Sequence, residues 1–274
     1  MCRGSEVRQR CRGSERRRSP GTKNLPSSPV PVESPTVNPA DALALLAASR
    51  EIESVDFTGL DLRRLAPRDE ESGFVFRDCR FDECVLAGVD LRGATFERVT
   101  VERTEFANAK LDHSVWISTM GARLDASSAR FVGARFERCT FLDGDFGNAD
   151  LGNASFRATR LNGTNFYRAR FRDTSFGDCH LAATDLRGVS LLKQHLLHVD
   201  FTDANLSAAD LRDARLTGCV LRGAKLTGAK LGGTDLRECD LGALTPESCV
   251  ALRGAIISSS QAATIVRGLG LQVM

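Results

Sequence analysis

The stretch ADLRDARLTGCVLRGAKLTGAKLGGTDLRECDL, residues 209–241, places a leucine at every fifth position from Leu211 to Leu241. A helix repeats its inward face every 3.6 residues and a strand every 2, so neither accounts for a period of five. Stepping by five from Phe76 to Leu241 gives 34 positions, of which 32 hold Phe, Leu, Val or Trp; the exceptions are Gly121 and Ala126. With this large residue numbered i, position i−2 is mostly small, as at Ala94, Ala109, Ala149, Ala204 and Ala229. Position i−1 is often Asp or Asn, as at Asp90, Asp150, Asn165 and Asp210, so the unit reads A-(D/N)-(L/F)-x-x. Residues i and i−2 share one face of an extended segment, which puts a large and a small side chain inward on each five-residue side.

This unit resembles that of the pentapeptide-repeat family. The resemblance implies an all-β fold, a right-handed quadrilateral parallel β-helix (a solenoid) whose four sides close one coil. Four sides of five residues demand a second period of twenty, and the residues carry it. Six cysteines sit at i−2, and five of them (Cys79, Cys139, Cys179, Cys219 and Cys239) are separated by multiples of twenty; Cys84 is the exception. Phe76, Phe96, Trp116, Phe136, Phe156 and Phe176 likewise fall one coil apart, spaced for rings to stack along the axis.

The repeats divide the chain into four parts. Residues 1–40 form a basic, Pro/Ser-rich leader with too little apolar surface to fold. It is read as disordered, or as lying upstream of the real start; an Arg-rich arm that touches nucleic acid is the alternative. Residues 41–74 form an N-terminal cap: a short helix, ALALLAAS, N-capped by Asp41, then a first irregular coil and an exposed charged loop over 66–73. Residues 75–245 form the repeat solenoid. Residues 246–274 form a C-terminal cap with a short helix over about 260–267, stopped by Gly268 or Gly270.

Two segments depart from the pattern. Over 117–131 the signature is lost, yet the phase modulo twenty is the same on both sides. The expectation is therefore one irregular coil, with Leu124 at i−2 and Ala126 at i exchanging the usual sizes, rather than a loop. Over 191–201, Gln194 occupies a small slot and Leu192 and Leu197 face outward. A bulged corner is the first reading and an apolar patch for a partner the second.

Composition narrows the function classes. The longest apolar run, ALALLAA at 42–48, is too short to span a bilayer, and no secretory signal appears, so a cytoplasmic protein without membrane contact is expected. No CxxC pair is present. The cysteine column reads as packing of reduced thiols, with a Cys219–Cys239 disulfide across adjacent coils as the alternative. His195 and His198 lack a third ligand for a metal. No nucleophile–base pair, cofactor motif or phosphate loop emerges, so no catalytic residue, metal or cofactor is assigned and an enzyme is not expected.

The resemblance instead implies protein binding. Some family members bind DNA gyrase or another type II topoisomerase, inhibiting it or protecting it from fluoroquinolone-like poisons, and some are described as mimics of duplex DNA. About nine coils at ~4.8 Å each give a rod of ~45 Å, whereas DNA of that length carries ~26 negative charges. The outward charges of residues 75–243 cancel, so wholesale charge mimicry is not supported. One acidic file remains: Glu105, Asp125, Asp145 and Asp185, with Asn165 and Asn205, all at i−1 on one side. These four acids, with Leu192 and Leu197, are the candidate partner-binding residues; corner chemistry alone is the competing explanation for the file. Gyrase-binding relatives pair end to end through a C-terminal segment. By that resemblance Ile256, Ile257, Ile265, Val266 and Leu269 are the candidate homodimer contact. The alternative function is an interaction scaffold with an unrelated partner.

Overall fold

The computed structural model describes residues 37–66, 73–244, 246–268 and 270–272. Helix α1 (Pro39–Ala48) precedes eleven three-residue strands: β1 (Glu51–Glu53), β2 (Val75–Arg77), β3 (Thr95–Glu97), β4 (Val115–Ile117), β5 (Met120–Ala122) and β6 (Arg135–Glu137). β7 (Thr140–Leu142), β8 (Ser155–Arg157), β9 (Ser175–Gly177), β10 (His195–Leu197) and β11 (Arg215–Thr217) follow, then helices α2 (Pro246–Ala251) and α3 (Ser259–Gly268). Nine strands form one parallel sheet in the order β1-β2-β3-β4-β6-β8-β9-β10-β11. Their central residues pair as Phe76↔Phe96, Phe96↔Trp116, Trp116↔Phe136, Phe136↔Phe156 and Phe156↔Phe176, each one coil of twenty apart. Isolated parallel bridges repeat the spacing on the other sides, as Arg80↔Thr100, Glu105↔Asp125 and Lys110↔Arg130. The molecule is a parallel β-solenoid of four-sided coils.

The core is the hollow of that solenoid. The large i residues and small i−2 residues are buried along its length, including all six cysteines of the i−2 positions. The aromatic column stacks as its spacing requires, with ring centroids of Phe136 and Phe156 4.5 Å apart and nearly parallel at 3°. Cys79, Cys139, Cys179, Cys219 and Cys239 lie in one inward file, all as free thiols, Cys219 and Cys239 included.

Two features of the corners were not read from the sequence. First, among the described residues, twenty-four non-glycine residues at i+2 adopt φ between +50° and +60°. A left-handed conformation costs about 1–2 kcal/mol for such residues. At most of these positions it aims the N–H at the coil above, as in Glu83 N–H to the Glu102 carbonyl at 2.7 Å and Arg103 N–H to Ala122 at 2.9 Å. Second, hydroxyls at i−2 are more than small side chains. Thr104, Thr164, Thr174 and Thr234 donate to the carbonyls of Phe81, Phe141, Leu151 and Leu211, each twenty-three residues earlier. Cys139, Cys179 and Cys239 direct their thiols at the equivalent carbonyls of Trp116, Phe156 and Leu216.

The segment 117–131 stays within the stack as one irregular coil. β5 pairs in register with β7, and Asp125 and Arg130 bridge to Asp145 and Asp150. Leu124 and Ala126 are both buried, so the exchange of sizes holds. A Cβ on Gly121 would stand 2.6 Å from the Val101 carbonyl oxygen, so the backbone itself fills that inward slot. No residue is inserted over 191–201, where His195↔Arg215 and Leu196↔Leu216 keep the spacing of twenty. The corner is nevertheless irregular toward the coil below: β10 pairs with β9 at Leu196↔Phe176 and Leu197↔Gly177 and not at His195. Gln194 occupies the small slot with its Nε2 donating to the Phe171 carbonyl, while its Oε1 is buried without a partner among the described residues.

The ends are capped by helices. α1 begins earlier than expected: Asn38, not Asp41, is its N-cap, with Oδ1 accepting from Ala40 and Asp41 N–H. Pro39 at the first helical position suits that start, since its missing N–H needs no partner there. Ile52 pairs with Phe76, a spacing of twenty-four that places four extra residues in the first coil. Of the loop expected over 66–73, residues 67–72 lie outside the described residues. At the far end α2 was not anticipated. α3 matches its expected range and closes on Gly270 at φ +81°, where Leu271 N–H reaches the Val266 carbonyl and Gly270 N–H that of Arg267. Gln261 fastens α3 to the last coil by donating to the Leu236 and Cys239 carbonyls, both at 2.8 Å.

Candidate protein-binding surface

The predicted acidic file exists as a physical line on one side of the solenoid. Glu105, Asp125, Asp145, Asn165, Asp185 and Asn205 bridge in sequence, coil on coil, and Lys225 ends the line. The corner explains why Asp and Asn recur there. Oδ1 of the i−1 residue accepts the N–H of i+1: Ser127 to Asp125 at 2.9 Å, Gly147 to Asp145 at 2.7 Å, and Ser207 to Asn205 at 3.2 Å. Each such side chain closes an Asx-type turn; the aspartates keep a second carboxylate oxygen free of that bond, whereas the asparagines have only an amide NH2 left.

The line is not electrostatically uniform. Around Glu105, Asp125 and Asp145 the outward positions of that side hold Ala107, Asn108, Ser127, Ser128, Gly147 and Asn148, so three carboxylates stand on a smooth, uncharged ground. Asp185 differs. Arg187 folds back onto it, with Nη2 2.6 Å from Oδ2 and Nε 2.8 Å from Oδ1. This charged hydrogen bond lowers the Asp185 pKa. Arg187 and Arg168 also flank the half-exposed Tyr167 ring, at 5.0 and 5.1 Å from its centroid. The file is thus acidic from Glu105 to Asp145 and neutralised above Asn165.

The other predicted surface residues fall into separate places. Leu192 and Leu197 are exposed but do not meet: Leu192 lies at the corner before β10 and Leu197 at its end, one side of the coil apart. His198 Nδ1 faces Asp178 Oδ1 at 3.2 Å, whereas His195 Nε2 faces Thr217 at 3.2 Å. Among the described residues, no group of three His, Cys, Asp or Glu side chains is placed to hold a metal ion. Burial holds three of the thiols protonated, pushing Cys84 and Cys139 up to about 12 and Cys179 to about 11. Cys219 and Cys239 act as a pair: the neighbouring Cys219 thiol, and burial after it, raises Cys239, while the same contact lowers Cys219.

Of the candidate dimer contacts, Ile256 is exposed and continues the stack, taking Leu236 N–H on its carbonyl and donating to Thr234. Ile257, Ile265 and Val266 are half-buried, and Leu269 lies outside the described residues. Val250 and Leu271, which sequence reasoning passed over, are the most exposed large apolar residues among those described at this end, at 75% and 60%.

A sequence model described as "Pentapeptide repeats" matches in eight copies, over residues 72–98, 145–178, 174–213 and 204–242. The chain is a pentapeptide-repeat protein. The gap between the first match and the second contains Gly121 and Ala126, where the structure shows the solenoid continuing on substituted packing. Two trypsin-treated variants of QnrB1, a plasmid-mediated fluoroquinolone resistance protein, share the fold. One aligns at 20% identity and TM-score 0.62, covering 82% of this chain and 100% of that one. The other aligns at 20% identity and TM-score 0.53, covering 80% and 98%. No curated relative matches the pentapeptide-repeat chain in sequence. Among the described residues, no helix is long and apolar enough to cross a membrane.

Proposed function

We propose that this pentapeptide-repeat protein is a non-enzymatic rod of the cytoplasm that acts by binding DNA gyrase or another type II topoisomerase, inhibiting it or protecting it from fluoroquinolone-like poisons. The reading is carried by the file Glu105–Asp125–Asp145, in which three carboxylates repeat at the coil rise on a smooth side. Such spacing and shape suit the basic, groove-like surface by which an enzyme holds duplex DNA. The fold shared with a fluoroquinolone resistance protein points the same way. Leu192 and Leu197 serve as separate apolar contacts. Two copies join through the C-terminal end, with Ile256, Ile257, Ile265, Val266 and Leu269 in contact, so that two acidic files extend one from the other.

A supercoiling assay with purified gyrase, with and without a fluoroquinolone, tests it. Inhibition or protection by the native chain, lost when Glu105, Asp125 and Asp145 are replaced by Lys, is the expected result. No effect at stoichiometric excess leaves the second reading, a scaffold for an unrelated partner, which the well-separated exposed leucines favour.

A further inference from the structure

The coils of this solenoid hydrogen-bond to one another on all four sides, and at the C-terminal end two sides stop short. One coil below the end, Leu206, Ala208 and Leu211 N–H donate to the carbonyls of Lys225, Thr227 and Lys230, each at 2.9 Å. The Lys225 and Lys230 amides return bonds to Ala204 and Ala209, also at 2.9 Å. The equivalent groups of the last coil, the N–H of Leu226, Gly228 and Leu231 and the carbonyls of Ala224 and Ala229, have no such partner among the described residues. The cause is the path of the chain. Where two more five-residue sides would complete the coil, it forms α2 instead and rejoins the stack only at Gly254, whose carbonyl takes Gly233 N–H at 2.9 Å. A cleft of about 810 Å³ is left over these two sides, floored by Leu226 and Leu231 and walled by Leu241, Leu244 and Leu252.

We propose that this open edge is a docking site for an extended segment of a partner protein, which adds the missing two sides of the coil by strand addition. The geometry dictates the sequence of the segment. Its residues must repeat every five, with a small side chain two places ahead of a large apolar one, to fit over Leu226 and Leu231. Charge sets the remaining position. Residues at i−1 stack in files at the coil rise, and the files at this end finish in Lys225 and Lys230. Neither lysine has an ion pair among the described residues, and exposed Arg253 on the cleft wall has none either. An acidic residue ahead of each large one would rest about 4.8 Å above Lys225 and Lys230, the distance between neighbouring strands. The occupant is therefore an acidic–apolar segment of pattern small–acid–large at five-residue spacing. This rests on the protein-binding reading above and not on topoisomerase being the partner.

The test uses the full chain and a fluorescein-labelled ten-residue peptide of two such units, with alanine, aspartate and leucine in the small, acid and large positions. The expected results are saturable binding by anisotropy and at least tenfold slower amide exchange at Leu226, Gly228 and Leu231. At least tenfold weaker binding is expected when the peptide aspartates become lysine, when its edge-facing amides are N-methylated, or in the variant K225E/K230E. Both lysines are exposed, so the variant keeps its fold, checked by its circular dichroism. No binding at millimolar peptide, or equal binding of a scrambled peptide, overturns the proposal. So does protection of the three amides in the free chain, and so does protection that grows with protein concentration alone, which assigns the edge to a second copy. Because K225E/K230E leaves Glu105, Asp125 and Asp145 intact, the supercoiling assay reports on the topoisomerase reading separately.

Discussion

A Cβ placed on Gly121 would stand 2.6 Å from the carbonyl oxygen of Val101, one coil below. Gly121 occupies an i position, where the repeat elsewhere calls for Leu or Phe. The consensus residue is therefore the wrong one at this site. Gly121→Leu is expected to destabilise by roughly 1–3 kcal/mol or more, the cost of overpacking against backbone that has nowhere to go. Urea denaturation of the variant checks it, and an unchanged or raised midpoint contradicts the packing described.

Next to it, Leu124 and Ala126 exchange the sizes of their slots, and both are buried. Leu124→Ala alone leaves a cavity among Phe106, Phe131 and Phe146, and should cost about 2–5 kcal/mol. Ala126→Leu alone overfills the same space. Together the two changes restore the ordinary unit, so the double variant should be more stable than the sum of the singles predicts. A coupling of about 0.5–3 kcal/mol is expected from residues that share one space. Additive effects in a denaturant double-mutant cycle would show that the two slots do not compensate.

These two sites also mark how far the fold is legible in the residues. The period of five fixes a short side and a corner, and the cysteine and aromatic columns fix twenty, because a buried column tolerates no drift. The same columns carry the phase through 117–131, which is why that segment reads as a coil. α2 was not legible, since the repeat simply ceases after Leu241 and nothing periodic replaces it. The irregularity over 191–201 was legible in Gln194, but its form was not: no residue is inserted, the Gln194 amide reaches the Phe171 carbonyl, and His195 drops out of the pairing with the coil below. The acidic file was legible as a line, and so was its dilution by Arg168, Arg187 and Lys225, but the direct Arg187–Asp185 pair was not. Arg187 lies two residues from Asp185 in sequence, and only the corner turns its guanidinium back onto the carboxylate.

The hydroxyls at i−2 carry a prediction of their own. Thr104 Oγ1 donates to the Phe81 carbonyl at 2.7 Å in a fully buried setting, while Cys84 N–H occupies the other side of that carbonyl at 3.1 Å. Thr104→Val keeps the shape and removes the donor, and should cost about 0.5–1.5 kcal/mol, the net worth of one hydrogen bond. Thr104→Ala should cost more, because it also empties volume. Chemical denaturation of the two variants side by side distinguishes the terms; a Val variant as stable as the native chain removes any role for the hydroxyl.

Arginine at i+1 paired with aspartate at i−1 recurs down the solenoid, and it sets an acid limit. The Arg63 and Arg237 guanidinium groups hydrogen-bond Asp61 and Asp235 and hold both carboxyls at about 2. In the unfolded chain an Asp titrates near 3.9. A folded pKa below the unfolded one contributes stability that is complete above about pH 4 and disappears as pH falls through about 2. Thermal midpoints should therefore be flat above pH 5 and decline between pH 4 and 2. In Arg237→Gln the Asp235 carboxyl should titrate at higher pH by NMR; an unmoved titration shows that the pair does not hold in solution.

Thiol chemistry offers the most direct view of whether the coils open. Cys84 and Cys139 are buried, and burial lifts both to about 12, so at pH 8 roughly one thiol in ten thousand is ionised and attack by thiolate is suppressed. Cys249, on α2, is only half-buried. With an aromatic disulfide reagent at pH 8, Cys249 should react within the mixing and early phase. Cys84, Cys139 and Cys179 should stay unmodified until denaturant unfolds the stack. Peptide mass mapping at successive times reads the order. Reaction of Cys139 in native buffer, ahead of global unfolding, would mean that the irregular coil beside it opens locally, and that the exchange of Leu124 for Ala126 leaves a weak point in the solenoid.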